Sequence, residues 1–361
     1  MPARNAPAQR KPSAVDRVIL AVDAFRRGRP VAVKGAGGTV LAYSLETLTA
    51  QALQALGPKA RLVLSYARAR TLKIRLYTPE VAAIALPGDL GLEQLRAIAD
   101  PSDDLKFPLK GPFETLRETL PQAYAASVKL AKLAGLLPAT VVSKARDADA
   151  VTLGAADILG YDSEIVRTLK IVARARVPLE GAEKTELVSF RPADGGPEQI
   201  AIVIDAPPTG KPVLTRMHSE CFTGDLLGSL KCDCGQQLRG AIAAIAKAGG
   251  GVVIYLAQEG RGIGLINKLR AYSLQDQGFD TVDANERLGF EPDEREYGLA
   301  ARMLELLGYK SVRLLTNNPD KVAGLKAAGV RVVARVHHAF PENEHNRAYL
   351  RTKAEKAGHL L

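Results

Sequence analysis

The hydrophobic and polar positions of this chain alternate between the period of a helix and the period of a strand. Apolar residues from 15 to 25 recur at helical spacing, and Gly28 follows them as a stop signal. The stretch 30–43 predicts two short strands around a glycine-rich turn, and 162–173 predicts a helix. In the second half, strands and helices alternate, with polar loops after the strands. The pattern therefore predicts an α/β fold. Its sheets are expected to be mixed, as in α+β proteins.

Length and turn signals divide the chain into two predicted domains. A chain of 361 residues exceeds the usual size of one hydrophobic core. Residues 1–13 are basic and rich in Pro and Ala, which predicts a disordered tail. A polar stretch at 178–184 separates a first domain, 14–180, from a second domain, 181–361. Several Pro and Gly residues predict that 86–113 is mostly loop.

Composition excludes several classes of protein. No run of roughly 18 apolar residues occurs, so no membrane span is expected. The N-terminus lacks the apolar core of a secretory signal, and an organelle transit peptide is the alternative interpretation. The chain has three cysteines, which favours the reducing cytoplasm over a disulfide-bonded compartment.

The basic charge is concentrated in the first half of the chain. Residues 1–180 hold 26 Lys and Arg against 17 Asp and Glu, whereas residues 181–361 hold 23 against 22. An excess of this kind suggests nucleic-acid binding. The basic residues are scattered, however, and the chain has no Trp to form a stacking platform. We therefore expect a basic surface and no nucleic-acid partner.

All three cysteines lie close together, as Cys221, Cys232 and Cys234. Thiolates at this spacing can converge on one tetrahedral ion, and Zn²⁺ is the natural candidate. A closed all-thiolate site needs four cysteines, so the fourth ligand is His, Asp, Glu or water. Water predicts a catalytic zinc, and His218 would complete a structural one. The third interpretation is that the cysteines are small buried hydrophobes, which the polar stretch KCDCG disfavours.

Two loops have the residues of a phosphate site. The sequence QEGRGIG at 258–264 follows a predicted strand, opens a helix and contains Arg261. The sequence LLTNNPDK at 314–321 repeats this order with Thr316 and Lys321. Two such loops in one domain predict a polyphosphate ligand, for which Mg²⁺ is the usual companion.

A third motif, GFEPDEREYG, has acidic and basic residues at a predicted helix start. Capping and a solvated charged face are its simplest interpretation. Together with the other motifs, however, it resembles GTP cyclohydrolase II over about 180 residues, from near 184 to the C-terminus. The resemblance rests on motifs in the same order: RMHSECFTGDLLGSLKCDCGQQL, QEGRGIGLINKLRAYSLQDQGFDTVDAN, LGFEPDERE, LLTNNPDK and TKAEKAGHLL.

The resemblance implies an enzyme of riboflavin biosynthesis. That family catalyses the first step: it opens the imidazole ring of GTP and releases formate from C8 and pyrophosphate. The product is 2,5-diamino-6-(5-phospho-ribosylamino)pyrimidin-4(3H)-one. The resemblance further implies that Cys221, Cys232 and Cys234 hold a Zn²⁺ whose water attacks C8. It also implies Mg²⁺ with the GTP phosphates, and a homodimer.

The same resemblance implies roles for individual residues. Arg295 matches an arginine proposed as nucleophile toward the α-phosphorus, but a guanidinium stays protonated, so electrostatic stabilisation is the second interpretation. Asp293 matches a proposed general base, and Tyr272 a tyrosine near the C8 chemistry whose presence favours full deformylation. Glu259 can accept hydrogen bonds from the guanine edge. The implied GTP contacts are Arg216, Met217, His218, Ser219, Glu220, Gln237, Glu259, Gly260, Arg261, Thr281, Thr316 and Lys321.

The first half weakly resembles 3,4-dihydroxy-2-butanone 4-phosphate synthase, through FRRGRPVAV and a late helix and strand unit ending in ATVVSK. That family carries an acidic cluster after its opening strand. Here the stretch is KGAGGTVLAY, without a carboxylate, and residues 1–180 contain no His. We therefore expect a degenerate, non-catalytic domain with a structural, dimerising or regulatory use.

Two other functions fit the same motifs. One is a zinc-stabilised sensor of nucleotides or RNA, although a sensor need not keep Asp293, Arg295 and Tyr272. The other is an altered cyclohydrolase that stops at the formamide product. The sequence does not separate the two possible products beyond the indication from Tyr272.

Overall fold

The computed structural model describes residues 12–57, 59–86, 90–144, 149–356, 358 and 360. The predicted tail, 1–13, lies almost wholly outside the described residues. Within the described ranges, no helix is long and apolar enough to cross a membrane. The mixed α/β architecture predicted from the sequence is confirmed: two sheets are present, each with helices packed on it.

The first sheet has six strands in the order β4-β3-β5-β2-β1-β6. Its strands pair antiparallel, except for the parallel pair β1 and β6. The strands are β1 (Val31–Gly35), β2 (Gly38–Ser44), β3 (Arg61–Ser65), β4 (Val81–Ala85), β5 (Ala139–Lys144) and β6 (Val151–Gly154). The helices of this part are α1 (Ala14–Arg26), α2 (Ala50–Ala55), α3 (Tyr66–Thr71), α4 (Leu92–Ala99), α5 (Gln122–Leu133), α6 (Ala155–Leu159) and α7 (Tyr161–Thr168).

Local signals explain where α1 begins and ends. The Ser13 hydroxyl accepts a hydrogen bond from the Asp16 backbone N–H at 3.1 Å, and the Asp16 carboxylate accepts one from the Ser13 N–H at 2.7 Å. Gly28 follows the helix with a positive φ of 70°. The prediction that 86–113 is mostly loop holds for most of the described residues of that range, although α4 occupies eight of them. This helix buries Leu95 and Ile98 against the sheet.

The second sheet has seven strands in the order β13-β12-β10-β11-β9-β8-β7. Strands β10 to β13 pair parallel with one another, and β7, β8 and β9 are joined antiparallel. The strands are β7 (Lys170–Arg176), β8 (Thr185–Arg191), β9 (Gln199–Ile204), β10 (Val213–Ser219), β11 (Gly251–Leu256), β12 (Ser311–Leu315) and β13 (Arg331–Val336). The helices are α8 (Cys234–Lys247), α9 (Gly264–Asp276), α10 (Thr281–Arg287), α11 (Tyr297–Leu306), α12 (Pro319–Ala327) and α13 (Arg347–Glu355).

The second sheet starts ahead of residue 181. The helix predicted over 162–173 ends at Thr168, and its last residues belong to β7, which pairs with β8. Strand β7 lies at the sheet edge. Six of its seven residues are exposed and the other is half-buried, so it lacks the alternation that marks a half-buried strand. The two halves also share packing, because Val15 and Ile165 belong to the core of the second sheet.

Candidate active site

The loops after three parallel strands meet at one edge of the second sheet. Strand β10 leads into Glu220 and Cys221, β11 leads into the turn Glu259–Gly262, and β12 leads into Thr316. The carboxyl ends of neighbouring parallel strands are the usual place for a ligand in such sheets. The sequence motifs that suggested metal and phosphate binding therefore line one cleft.

The three cysteines form a compact cluster. Their sulfur atoms all lie within 4.8 Å of one another, and those of Cys221 and Cys232 are 3.8 Å apart. Gly224 closes one side: a Cβ atom there would lie 2.7 Å from the Cys232 sulfur and 3.0 Å from the Cys221 sulfur. The cluster thus has the donor set and the close backbone approach of a metal site, and it could hold an ion.

Lys268 of α9 lies beside this cluster, and sequence reasoning missed it. Its ammonium group is 3.1 Å from the Cys221 sulfur, 2.8 Å from a Glu259 carboxylate oxygen and 2.9 Å from the Thr223 hydroxyl. Burial lowers the pKa of Lys268, but Glu259 and Cys221 outweigh it and hold this pKa above its ordinary value. Hydrogen bonds with the Cys232 and Cys234 thiols, together with Lys268, lower the pKa of Cys221. A buried ammonium beside a thiol favours the thiolate, the form that binds metals.

His218 does not belong to the group of possible metal ligands. Its Nε2 lies 3.0 Å from a carboxylate oxygen of Asp225, and its ring stacks on Tyr255 with the centroids 5.6 Å apart. The same carboxylate accepts a hydrogen bond from the Cys221 backbone N–H at 3.1 Å. Among the described residues, the group of possible metal ligands here comprises the three cysteines and not His218. Asp225 instead fixes both the histidine and the backbone of the first cysteine.

The same cleft gathers buried cations. Arg216 donates to the Leu315 carbonyl at 2.9 Å and to the Gln237 side chain, and burial lowers its pKa to about 10. Lys321 donates to the Met217 carbonyl at 2.9 Å, and burial together with the positive charge of Arg216 lowers its pKa. Like charges held close together and away from water are stabilised by an anion.

Arg295 lines the same cleft and is held by Asp293. Arg295 Nε donates to one carboxylate oxygen of Asp293 at 2.7 Å, and the Tyr297 hydroxyl donates to the other at 2.8 Å. Burial raises the pKa of Asp293, but Arg295 outweighs it and holds this pKa below its ordinary value. Burial lowers the pKa of Arg295, but Asp293 outweighs it and holds that pKa above its ordinary value. Both groups are therefore charged in this arrangement.

Most of the residues predicted from the sequence line this cleft. They are Arg216, His218, Ser219, Glu220, Cys221, Cys232, Cys234, Gln237, Glu259, Gly260, Arg261, Tyr272, Thr281, Arg295, Thr316 and Lys321. Two predicted residues lie outside this lining. The Met217 side chain is buried in the core of the second sheet, and Asp293 contacts Arg295 and Tyr297.

Other lining residues were missed by sequence reasoning. Lys353 of α13 forms a buried ion pair with Asp233 at 2.7 Å. His338 is buried, its Nε2 lies 2.8 Å from the Gln237 carbonyl, and burial lowers its pKa to about 4. The sequence spacing could have indicated Lys268, because it precedes Tyr272 by four residues and so lies on the same face of the helix. Lys353 lies in TKAEKAGHLL, one of the motifs of the resemblance, but nothing in the sequence indicated that a distant helix brings it to the site.

Comparisons with known proteins find a matching family model and similar sequences. The family model described as GTP cyclohydrolase II matches residues 170–337. A GTP cyclohydrolase-2 of Azospirillum brasilense is 51% identical, over 96% of this chain and 94% of that protein. A riboflavin biosynthesis protein RibBA of a Synechocystis strain is 46% identical, over 65% of this chain and 46% of that protein.

A crystal structure of RibBX, a two-domain 3,4-dihydroxy-2-butanone 4-phosphate synthase from A. baumannii, covers 88% of this chain and 99% of its own. Its sequence identity is 18% and its TM-score 0.33, too low to support a conclusion.

One cleft therefore combines a thiol cluster with buried cations, an arrangement that suits an anionic substrate. The chain belongs to the GTP cyclohydrolase II family, and it is an enzyme that hydrolyses GTP. The similarity to the Azospirillum protein extends through both halves of the chain, so the first half is shared with that relative.

Proposed function

We propose that this enzyme opens the imidazole ring of GTP and releases formate and pyrophosphate. The product would be 2,5-diamino-6-(5-phospho-ribosylamino)pyrimidin-4(3H)-one, in the first step of riboflavin biosynthesis. The observation that carries the proposal is the placement of a thiol cluster and a set of buried cations in one cleft. GTP has a hydrolysable ring at one end and a triphosphate at the other, so one bound molecule can reach both.

Cys221, Cys232 and Cys234 would hold a Zn²⁺ ion. Three thiolates leave a coordination position open, and a zinc ion bound in this way supplies Lewis acidity and activates water near neutral pH. The Gly224 backbone supports this assignment because it leaves room for the sulfur atoms to converge. Lys268 supports it as well, since its charge offsets part of the charge of three thiolates. Mg²⁺ would accompany the phosphates.

Glu259 would read the guanine base. One carboxylate oxygen accepts hydrogen bonds from Lys268 at 2.8 Å and from the Gly260 N–H at 3.0 Å, and the other accepts the Phe222 N–H at 2.6 Å, which fixes the plane of the group. The oxygen bonded to Phe222 keeps a lone pair, so pairing with both guanine donors, N1–H and the amine, would share or replace one bond of the other oxygen. Adenine lacks both donors on that edge, so the carboxylate would select guanine.

The cations of the cleft would hold the triphosphate; Arg216 and Lys321 are buried and Arg261 is half-buried. Arg216, Arg261 and Lys321 would bind phosphate oxygens, and Arg295 would stabilise the charge that develops at the α-phosphate. A guanidinium paired with Asp293 is a poor nucleophile, so we assign the electrostatic role to Arg295 and the role of orienting it to Asp293. Tyr272 of α9 would act near C8, since its ring lies 5.6 Å from the Lys268 ammonium beside the cysteines.

The remaining implied GTP contacts also line the cleft. They are His218, Ser219, Glu220, Gln237, Thr281 and Thr316. Met217 would contribute through its backbone, because its side chain is in the core. Gly260 has a φ of 63°, which shapes the turn between Glu259 and Arg261.

The first half would be non-catalytic, and the enzyme would act as a homodimer in the cytoplasm. The stretch after β1 has no carboxylate and residues 1–180 contain no His, whereas enolisation of a sugar phosphate needs a metal and an acid–base pair. Incubation with ribulose 5-phosphate tests this directly. Formation of butanone phosphate would overturn the non-catalytic assignment.

Product analysis of the wild type and of Cys232→Ser tests the proposed function. The Zn²⁺-loaded wild type should convert GTP into the pyrimidine, formate and pyrophosphate in the presence of Mg²⁺, and Cys232→Ser should release no formate. Ring-opened formamide without formate would indicate an enzyme that stops one step earlier. A folded, zinc-loaded protein that binds GTP without turnover would indicate a sensor. Full formate release by Cys232→Ser would refute the metal assignment.

A further inference from the structure

An ion pair from the first half of the chain holds the loop that carries Arg295. Lys132, in the last turn of α5, lies 2.5 Å from a carboxylate oxygen of Glu294. Its ammonium group also lies 5.8 Å from the centre of the Phe290 ring. Glu294 is the residue between Asp293 and Arg295, so the contact is made inside the proposed catalytic motif. The pair is only partly exposed, with 24% and 21% of the two side chains accessible.

Glu294 also connects two loops of the site. Its backbone N–H donates to the Arg261 carbonyl at 3.1 Å. Gly262 has a φ of 100°, and a Cβ there would lie 2.6 Å from the Glu294 carbonyl oxygen. The Glu294 carboxylate in addition accepts the Glu291 N–H at 2.8 Å. A displacement of the Glu294 side chain would therefore shift the backbone at Arg261 and at Arg295.

The start of the same loop is packed against the first half. Gly289 has a φ of 90°, and a Cβ there would lie 2.7 Å from both Pro138 Cγ and Ser65 Oγ. Next to it, Phe290 shares a buried cluster with Leu137 and residues of α9 and α10. The segment 289–294 is thus fixed by the first half at both of its ends.

Helix α9 is anchored in the same way. Arg270 pairs with Glu46 through two contacts of 2.9 and 3.2 Å, and the Asn267 side chain donates to the Gly135 carbonyl at 3.1 Å. Asn267 and Arg270 flank Lys268, whose ammonium group contacts Cys221. Contacts between the halves therefore surround the segments that carry Lys268 and Arg295.

We infer that Lys132 is a positioning residue for the GTP reaction, supplied by the half of the chain that has no catalytic groups of its own. It neutralises Glu294 and holds the 289–294 segment so that the Arg295 guanidinium faces the α-phosphate. A misplacement of about 1 Å at a reacting group can cost roughly a hundredfold in rate. This inference rests on the proposed function, because the position it controls is that of Arg295.

The test compares Lys132→Met with Lys129→Met in the full-length, Zn²⁺-loaded enzyme. Lys129 lies on the same helix and is also 24% exposed, but it pairs with Asp162 of the first half, at 2.6 Å. We expect Lys132→Met to lower kcat for pyrophosphate release by roughly ten- to a hundredfold. KM for GTP and the melting temperature should stay close to those of Lys129→Met, and Lys132→Arg should recover most of the rate.

Hydrogen exchange of the 289–296 amides provides a second readout that does not depend on turnover. Lys132→Met should exchange faster there than Lys129→Met, with the rest of the protein unchanged. The inference is overturned if the two variants match in kcat and in exchange, or if kcat falls only together with the melting temperature. A wild type that makes no pyrophosphate would refute the proposed function, and the exchange comparison would still decide whether Lys132 holds the segment.

Discussion

Arg295 and Asp293 form a two-point ion pair: Nε donates to one carboxylate oxygen at 2.7 Å, and Nη2 donates to the other. The Tyr297 hydroxyl donates a further hydrogen bond to the same carboxylate. The guanidinium side chain is 6% exposed, so its plane is fixed in a site from which water is largely excluded. The contact supports a preorganised cation rather than a nucleophile at this position.

Asp293→Asn should weaken that preorganisation. The amide keeps the shape of the side chain but removes its charge, so Arg295 loses its fixed orientation. We expect kcat for pyrophosphate release to fall by roughly a hundredfold, with a much smaller change in KM for GTP. Steady-state kinetics with GTP measures both. Glu291→Gln, in the same loop but exposed, is the control and should behave as wild type.

The pH dependence of the same pair separates orientation from proton transfer. Arg295 holds the pKa of Asp293 below its ordinary value, and Asp293 holds that of Arg295 above its own. Asp293 therefore becomes protonated only as the pH falls below about 4, and neither charge changes between about pH 6 and 9. The ratio of wild-type to Asp293→Asn rates should be constant across that range. A ratio that falls steadily with pH, because hydroxide replaces the missing base in Asp293→Asn, would assign proton transfer to Asp293.

Gly224→Ala tests the thiol cluster. The added Cβ would lie 2.7 Å from one sulfur and 3.0 Å from another, so the thiols must separate. We expect the affinity for Zn²⁺ to fall by roughly ten- to a hundredfold, measured by competition with a chromophoric chelator. Gly210→Ala is the matched control, because its Cβ would contact nothing within 4 Å. Equal affinities in the two variants would argue against a metal at this cluster.

Asp104→Asn tests an ion cluster between the halves. The Asp104 carboxylate contacts Arg68 at 2.8 Å, Arg287 at 3.3 Å and also Lys110, and the Arg68 side chain is 1% exposed. Removing the charge leaves that arginine without its counter-ion, at a cost of about 3 kcal/mol in the free energy of unfolding. Urea unfolding at pH 7 measures this cost.

The sign of its pH dependence follows from the pKa of Asp104. Burial raises that pKa, but Arg68 and Lys110 outweigh it and hold it below its ordinary value. The carboxylate therefore contributes stability above about pH 4 and loses it as the pH falls further, so wild type and Asp104→Asn should converge in acid. Glu93→Gln, which removes an exposed pair with Arg96, should change stability by less than about 0.5 kcal/mol at either pH. A difference that grows toward acid would contradict this account.

The features that could be predicted from the sequence are those indicated by residues close to one another along the chain. The spacing of Cys221, Cys232 and Cys234 indicated a common ligand, and the loops after two strands placed Arg261 and Lys321 at one sheet edge. Both kinds of signal depend on residues near one another along the chain or on the general geometry of parallel strands. The sulfur atoms and the two cations do lie around one cleft.

Contacts between distant segments could not be predicted in this way. Lys132 and Glu294 are 162 residues apart, and Lys353 is 120 residues from Asp233. Nothing in the neighbourhood of either lysine indicates its partner, because the partner is set by how the two halves pack. Strand β7 was missed for another reason: an exposed edge strand has no buried face to produce alternation.

The fate of the C8 carbon of GTP tests the central claim most directly. GTP labelled with ¹³C at C8 can be followed by NMR with the Zn²⁺- and Mg²⁺-supplied wild-type enzyme, while pyrophosphate is measured in parallel. The account predicts that the label leaves as formate, with one formate and one pyrophosphate formed per GTP consumed. Label that stays in an intact guanine ring while phosphate is released would contradict it.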